Sequence, residues 1–466
     1  MPVDPLLALD AADLASLIAR REASAAEAVE AALARLDETE GELNAFVHVD
    51  RDGARTAARA ADEAVARGEA LGALHGVPVS VKDLIDVGGM PARYGSLTLK
   101  DHVADEDAPS VERLRAAGAI VIGKTTTSEF GYRGYTKSLV HGNTKNPWNL
   151  GRTPGGSSGG AVASVAAGVT PLALGTDGGG SVRAPCAFTG LAGIKANFGR
   201  VPVWPESATP TIAHVGPIAR SAADAALLLD VIAGADARDP FSLYPPVRRE
   251  PKPQTLRDLR VAFSPTLGYA HVDTPVASVV ASAVAQLADV FPNIDLVEEV
   301  CTDPGEILAA EFMGGCSARL GDLVDDAPHL IDPPLLAGIQ AFREMSSDAF
   351  ARLLRRRLAH RETLRAFFER YDLLITPTAP CVAWNIDQGL PTGFEDAVVW
   401  SFFTYPFNLS GQPAGTVPCG RAPDGLPVGL QFVAPLLRED FVMAAMRAAE
   451  DVLGRLPTPI DPVPSE

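Results

Sequence analysis

Between Thr153 and Thr176 the chain carries no charged side chain. A stretch of that length has two natural homes, the hydrocarbon of a bilayer or the interior of a large domain. Here it opens on Gly155-Gly156-Ser157-Ser158-Gly159-Gly160, and Pro171 interrupts its later part. That composition does not suit a membrane span. It predicts a Gly/Ser loop over 151–160, an Ala/Val helix running to Gly168 and a buried strand over 171–175. A chain of 466 residues is long enough to enclose such an interior.

The flanking sequence extends this alternation. Gly76 introduces Val77-Pro78-Val79-Ser80-Val81-Lys82, a strand pattern in which Pro78 suits the start or an edge. Residues 107–118 read as a helix ending at Gly118, followed by the apolar strand Ala119-Ile120-Val121-Ile122-Gly123. Further strands are expected at Arg260-Val261-Ala262-Phe263, Leu373-Leu374-Ile375 and 428–433. Helical spacing dominates 10–70, where Ser24 and Glu27 form a capping-box pattern, and again 273–371. Strands alternating with helices predict α/β layers. The expected organisation is an N-terminal helical segment over 1–70, a catalytic core over 70–220 and a Pro/Arg/Asp-rich surface excursion over 236–258. The tail after Leu456 should fray. No linker is long enough to demand two independent domains.

Charge narrows the function classes. The formal net charge is −18, with acidic residues spread along the chain. Such a surface repels phosphate backbones and argues against nucleic-acid binding. The N-terminus lacks the basic-then-apolar layout of a signal peptide. The five cysteines are scattered and form no C-x-x-C, which fits neither a disulfide framework nor a zinc site and points to a reducing cytoplasm. Cys186, near the glycine-rich region, is an alternative candidate nucleophile.

Three places carry chemistry: Lys82 at the end of its strand, the loop around Ser157, and Gly175-Thr176-Asp177-Gly178-Gly179-Gly180-Ser181-Val182-Arg183-Ala184-Pro185. A serine preceded by three glycines sits where backbone N–H groups can converge on one anion, as acyl transfer requires. The turn lacks the Lys-Ser/Thr of a P-loop and the G-x-G-x-x-G of a dinucleotide site. Gly156-x-Ser158-x-Gly160 fits the nucleophile-elbow pattern, but the residues before it read as a loop instead of a strand. His214, His271, His329 and His360 are the histidines that such a triad would draw on. Lys82 is the better base, because burial beside a sheet lowers a lysine pKa and frees its lone pair. The plainer alternative for Lys82 is an ion pair with Asp83 or Asp86.

Taken together, these segments resemble the amidase signature family. Val81-Lys82-Asp83, Gly123-Lys124-Thr125, Asn146-Pro147-Trp148-Asn149, Gly415-Thr416-Val417-Pro418 and Gly429-Leu430-Gln431 extend the match over most of the chain. The resemblance implies one α/β/α domain around a large mixed sheet, often dimeric, that hydrolyses small-molecule amides without metal or cofactor. It implies Ser181 as nucleophile, Ser157 as bridging serine after a cis peptide bond, and Lys82 as base. It further implies Gly178, Gly179 and Gly180 with the Ser181 N–H as oxyanion hole, and Ser158, Asp177 and Arg183 as braces. Cys186 stands where the family usually has Ala or Ser, and Ala196-Asn197 where Pro and a hydroxyl residue are common. A free amidase is the first reading and the glutaminase component of a tRNA-dependent amidotransferase the second. Such subunits usually carry Tyr-Asp-Gly in the middle region, where this chain has Glu311-Phe312-Met313-Gly314-Gly315-Cys316. Trp400, Phe403 and Phe407 recur at helical spacing and, with Trp384 and Tyr405, suggest either core packing or the wall of a pocket for hydrophobic or aryl amides.

Overall fold

A computed structural model describes residues 3–243, 256–394 and 399–457. Most of the 236–258 excursion and nearly all of the tail therefore lie outside the described residues. The strands are β1 Phe46–Val49, β2 Pro78–Lys82, β3 Ile120–Thr125, β4 Lys137–Ser138, β5 Gly142–Asn143, β6 Leu172–Thr176 and β7 Ala192–Lys195. They continue with β8 Val215–Ala219, β9 Val261–Phe263, β10 Ile294–Leu296, β11 Leu373–Pro377, β12 Ala414–Arg421 and β13 Pro427–Val433. β4 and β5 pair only with each other. The other eleven form one mixed sheet in the order β1-β3-β2-β6-β8-β7-β12-β13-β11-β9-β10.

Two parallel pairings position the chemistry. β2 lies between β3 and β6, with Val79 opposite Leu172 and Val81 opposite Leu174. That register brings the carboxyl end of β2, which is Lys82, alongside the end of β6 and the glycine turn that follows. Pro78 occupies the first position of β2, where a missing N–H breaks no internal ladder. β6 then pairs antiparallel with β8. The loops beyond the carboxyl ends of β2 and β6 are thus gathered where strand direction changes, a usual place for ligands in α/β sheets.

Helices cover both faces. Leu172 and Leu174 point into the largest apolar cluster, shared with the helices Ala222–Ile232 and Glu439–Leu453. Ala173 points the other way, into a cluster with Ala161, Val162 and Val165 of the helix Gly159–Ala166 and with Cys186 of the helix Arg183–Thr189. The uncharged stretch is therefore a loop, a buried helix and a central strand. Among the described residues no helix is long and apolar enough to cross a membrane.

Seven strands are not read from the sequence pattern: β1, β4, β5, β7, β8, β10 and β12. β1 interrupts the helical 10–70 segment, while β7, β8 and β12 are almost wholly buried and show no alternation. Gly216 and Pro217 disguise β8 further.

The capping box at Ser24 is present. Its hydroxyl accepts from the Glu27 amide at 3.1 Å, and the Glu27 carboxylate accepts from the Ser24 amide at 2.8 Å. Ser24→Ala should cost about 1 kcal/mol of stability. Urea unfolding should show a lower midpoint with an unchanged slope.

Candidate active site

Lys82 is fully buried. Its Nζ lies 2.7 Å from Ser157 Oγ, 2.9 Å from Ser158 Oγ and 2.8 Å from Thr176 Oγ1. Burial pushes the amine well below its ordinary lysine value, and the attraction of Asp177 only partly opposes this. The simpler alternative, an ion pair with Asp83, falls to a different lysine: Lys124 Nζ stands 3.6 Å from Asp83 Oδ1. Asp86 instead accepts from the Tyr94 hydroxyl at 2.7 Å.

The proton directions around Lys82 can be worked out. Ser158 Oγ donates to the Thr176 carbonyl at 3.2 Å, so it must accept from the amine. A neutral amine has two N–H groups and one lone pair. If Ser158 and Thr176 receive the two hydrogens, the lone pair faces Ser157. The peptide bond before Ser157, from Gly156, is cis. Thr136 Oγ1 braces this loop, donating to Gly155 O at 2.9 Å and accepting from the Gly159 amide at 3.0 Å.

Ser181 is nearly buried and, together with Ser157, lines a small cavity. Its hydroxyl has no protein hydrogen-bond partner among the described residues, so the bond to Ser157 is not formed here. The glycine turn before it is shaped by Asp177, whose carboxylate accepts from the amides of Gly180 at 2.7 Å and Val182 at 3.2 Å. This corrects one expectation. The Gly180 N–H is committed to Asp177 and is not available to an oxyanion, which leaves the amides of Gly178, Gly179 and Ser181. Gly180 serves the turn through its conformation instead. Its φ is +132°, and a Cβ there would lie 2.1 Å from Thr404 Oγ1.

Asp177 and Arg183 form a fully buried ion pair. Arg183 Nε and Nη2 reach the two carboxylate oxygens at 3.0 and 2.9 Å. The remaining guanidinium hydrogens go to Asn408 Oδ1 at 2.6 Å, Gln431 Oε1 at 2.8 Å and Thr404 O at 3.1 Å. Burial alone would raise the Asp177 carboxyl. Arg183 and Asn408 overcome that and hold it well below the usual carboxylate range. Thr176, Thr404, Asn408 and Gln431 do not stand out as site residues in the sequence. Thr176 carries a signal, since it adjoins Asp177 in the turn. The other three lie more than two hundred residues downstream and only the fold brings them here.

The other expectations divide. The Cys186 thiol is buried and pushed well above its ordinary value, so it stays protonated and packs as core. His214 is buried against the main-chain oxygens of Ile212 and Asp177, at 2.8 and 3.1 Å, with no serine partner. His360 contacts the Pro406 carbonyl at 3.0 Å. All five cysteines are free. Trp400, Phe403 and Phe407 do not share one face. Trp400 packs with Trp384 and Phe188 and lines a large cavity, whereas Phe403 and Phe407 are core residues beside Phe367. Phe403 is therefore not a pocket residue, because residues 399–410 bend through a short 3-10 turn before the helix Pro406–Ser410. Tyr405 is likewise buried, in a cluster with Leu308 and Leu409.

The large cavity, about 1140 Å³, opens over Ser181 and Gly179. Leu308, Phe312 and Met313 from the helix Gly305–Leu320 line it, with Phe342 from the helix Pro333–Arg343. Charged residues such as Glu306 and Arg356 stand among its lining side chains and pair with each other at 2.6 Å.

Comparison with known proteins shows that this fold is that of an amide-hydrolysing enzyme. The Amidase family model matches residues 27–443, and the chain belongs to that family, the amidase signature enzymes. An acylamidase of Rhodococcus erythropolis is 36% identical, with 93% of each chain covered. A glutamyl-tRNA(Gln) amidotransferase subunit from Acidothermus cellulolyticus is 37% identical, covering 97% of this chain and 96% of that one. Among solved structures, a bacterial aryl acylamidase superposes with a TM-score of 0.88 at 28% identity, covering 96% of this chain and 97% of that one.

Arg183→Met should leave Asp177 as a buried, unpaired carboxylate and cost about 3–5 kcal/mol. Chemical denaturation would measure that loss. A change below about 1 kcal/mol would show that the pair does not hold the turn.

Proposed function

We propose that the protein is a free-standing serine amidase acting through Ser181, Ser157 and Lys82 on amides with a hydrophobic group. The observation that carries this reading is the buried Lys82 amine, 2.7 Å from Ser157 Oγ, with Ser157 and Ser181 both lining one small cavity.

In the mechanism, Ser181 Oγ attacks the amide carbon. Its proton passes to Ser157, whose own proton passes to the Lys82 lone pair. The Ser181–Ser157 bond closes when a carbonyl docks, since catalytic hydrogen bonds often tighten only in the substrate complex. The amides of Gly178, Gly179 and Ser181 hold the developing oxyanion, and one such donor contributes about 10²–10³ in rate. The proton returns through Ser157 to the nitrogen, the C–N bond breaks, and the amine departs. Water then attacks the acyl-Ser181 ester along the same relay and releases the acid.

The apolar lining supports a hydrophobic substrate over glutamine. At the place where glutaminase subunits usually carry Tyr-Asp-Gly, this chain presents Phe312 and Met313 to the large cavity. The neighbouring Glu311 is held by Arg357 at 2.6 Å. Purified protein should hydrolyse simple hydrophobic amides without partner proteins. Activity that emerges only with added partner proteins and tRNA would favour the amidotransferase.

Lys82→Ala should lower kcat by about 10²–10⁴-fold with the fold intact by circular dichroism. Since the base acts as the neutral amine, and burial lowers its pKa, the rate should be full above that lowered pKa. It should fall with a single ionisation as acid protonates the amine. A flat acid limb in kcat/KM, or near-normal turnover by Lys82→Ala, would remove Lys82 as the base.

A further inference from the structure

Two cavities of unequal size and character meet at Ser181. Besides the large apolar one, a second cavity of about 70 Å³ is lined by Ser157, Thr176, Gly178, Trp204 and Thr209. Ser181, Gly131 and Phe312 line both. Ser157 lines only the small one. Gly131 packs close over the relay, since a Cβ on it would lie 3.0 Å from Ser157 Oγ.

The position of the proton donor assigns the two sides. The amide nitrogen must take a proton as it leaves, and in the proposed relay that proton comes from Ser157. A leaving nitrogen within reach of Ser157 lies on the small side. The acyl substituent, on the opposite side of the carbonyl carbon, then extends into the large apolar cavity. A space of about 70 Å³ accepts only a few water-sized groups. We infer that the enzyme is selective for primary amides, and amides of very small amines, of bulky apolar carboxylic acids. The bulk sits on the acid and not on the amine. The bonds balance: the amide and the Ser181 hydroxyl give an acyl ester and ammonia, and water then gives the acid and free Ser181.

This inference rests on Ser157 as the relay, so its test separates the two. Purified protein is assayed on a mirrored pair, 4-phenylbutyramide, with a bulky acid and ammonia, and N-(3-phenylpropyl)acetamide, with a small acid and a bulky amine. A fluorophosphonate label reports Ser181 independently. The expected result is labelling of Ser181, lost in Ser181→Ala, with kcat/KM at least about tenfold higher for the primary amide. Met313→Trp, which fills part of the large cavity, should lower the ratio of kcat/KM for 4-phenylbutyramide to that for propionamide by about tenfold. Labelling together with equal or reversed preference would overturn the assignment of sides and leave the serine nucleophile standing. Absence of labelling and of both activities would overturn the serine mechanism, and this inference with it.

Discussion

Burying an amine among hydroxyl groups is the constraint on which the site depends. Moving an ammonium out of water without a paired anion costs several kcal/mol, so such a lysine sheds its proton. Three lysines fully buried among the described residues show how much the partners matter. Lys124 sits beside the Asp83 carboxylate. Lys195 donates to the main-chain carbonyls of Gln412 and Ala196, at 2.5 and 3.1 Å. Lys82 is ringed by three hydroxyls. A carboxylate or carbonyl can only accept a hydrogen, whereas a hydroxyl can also give one. Of the three, Lys82 is the one ringed by hydroxyls, as a relay of the proposed kind requires.

That arrangement needs a rigid frame, because the relay works only if the loops from β2, β6 and the Ser157 segment stay in register. The Asp177–Arg183 pair supplies it. Its ring of bonds ties the glycine turn to Thr404, Asn408 and Gln431, so the proposed nucleophile is anchored by chain far downstream. The same carboxylate that orders the turn takes up the Gly180 amide, so the proposed oxyanion hole rests on the amides of Gly178, Gly179 and Ser181. The large cavity belongs to another part of the chain, the helices over 305–343 that stand beside the sheet.

Much of this is legible in the residues. The uncharged stretch announces a buried core, the strand before Lys82 announces its burial, and three glycines before Ser181 announce a backbone built to meet an anion. Some strands escape because burial on both faces erases alternation or because Gly and Pro mimic a turn, and β1 and β10 because they are short strands set within helical segments. Phe403 misleads because helical spacing does not hold through a segment that bends. The Gly180 amide misleads because sequence counts donors without showing which are already bonded. Asn408 leaves no trace, and Gln431 shows only as part of the Gly429-Leu430-Gln431 segment, since the role of both depends on long-range packing.

The proposed mechanism requires Lys82 to be uncharged at neutral pH in the folded enzyme. Protein labelled with ¹⁵N at lysine Nζ, with the Lys82 signal assigned by its loss in Lys82→Arg, would report this directly near about pH 7.5. The expected result is a neutral-amine shift for that nitrogen while exposed lysines show ammonium shifts. An ammonium shift for Lys82 at that pH would contradict it.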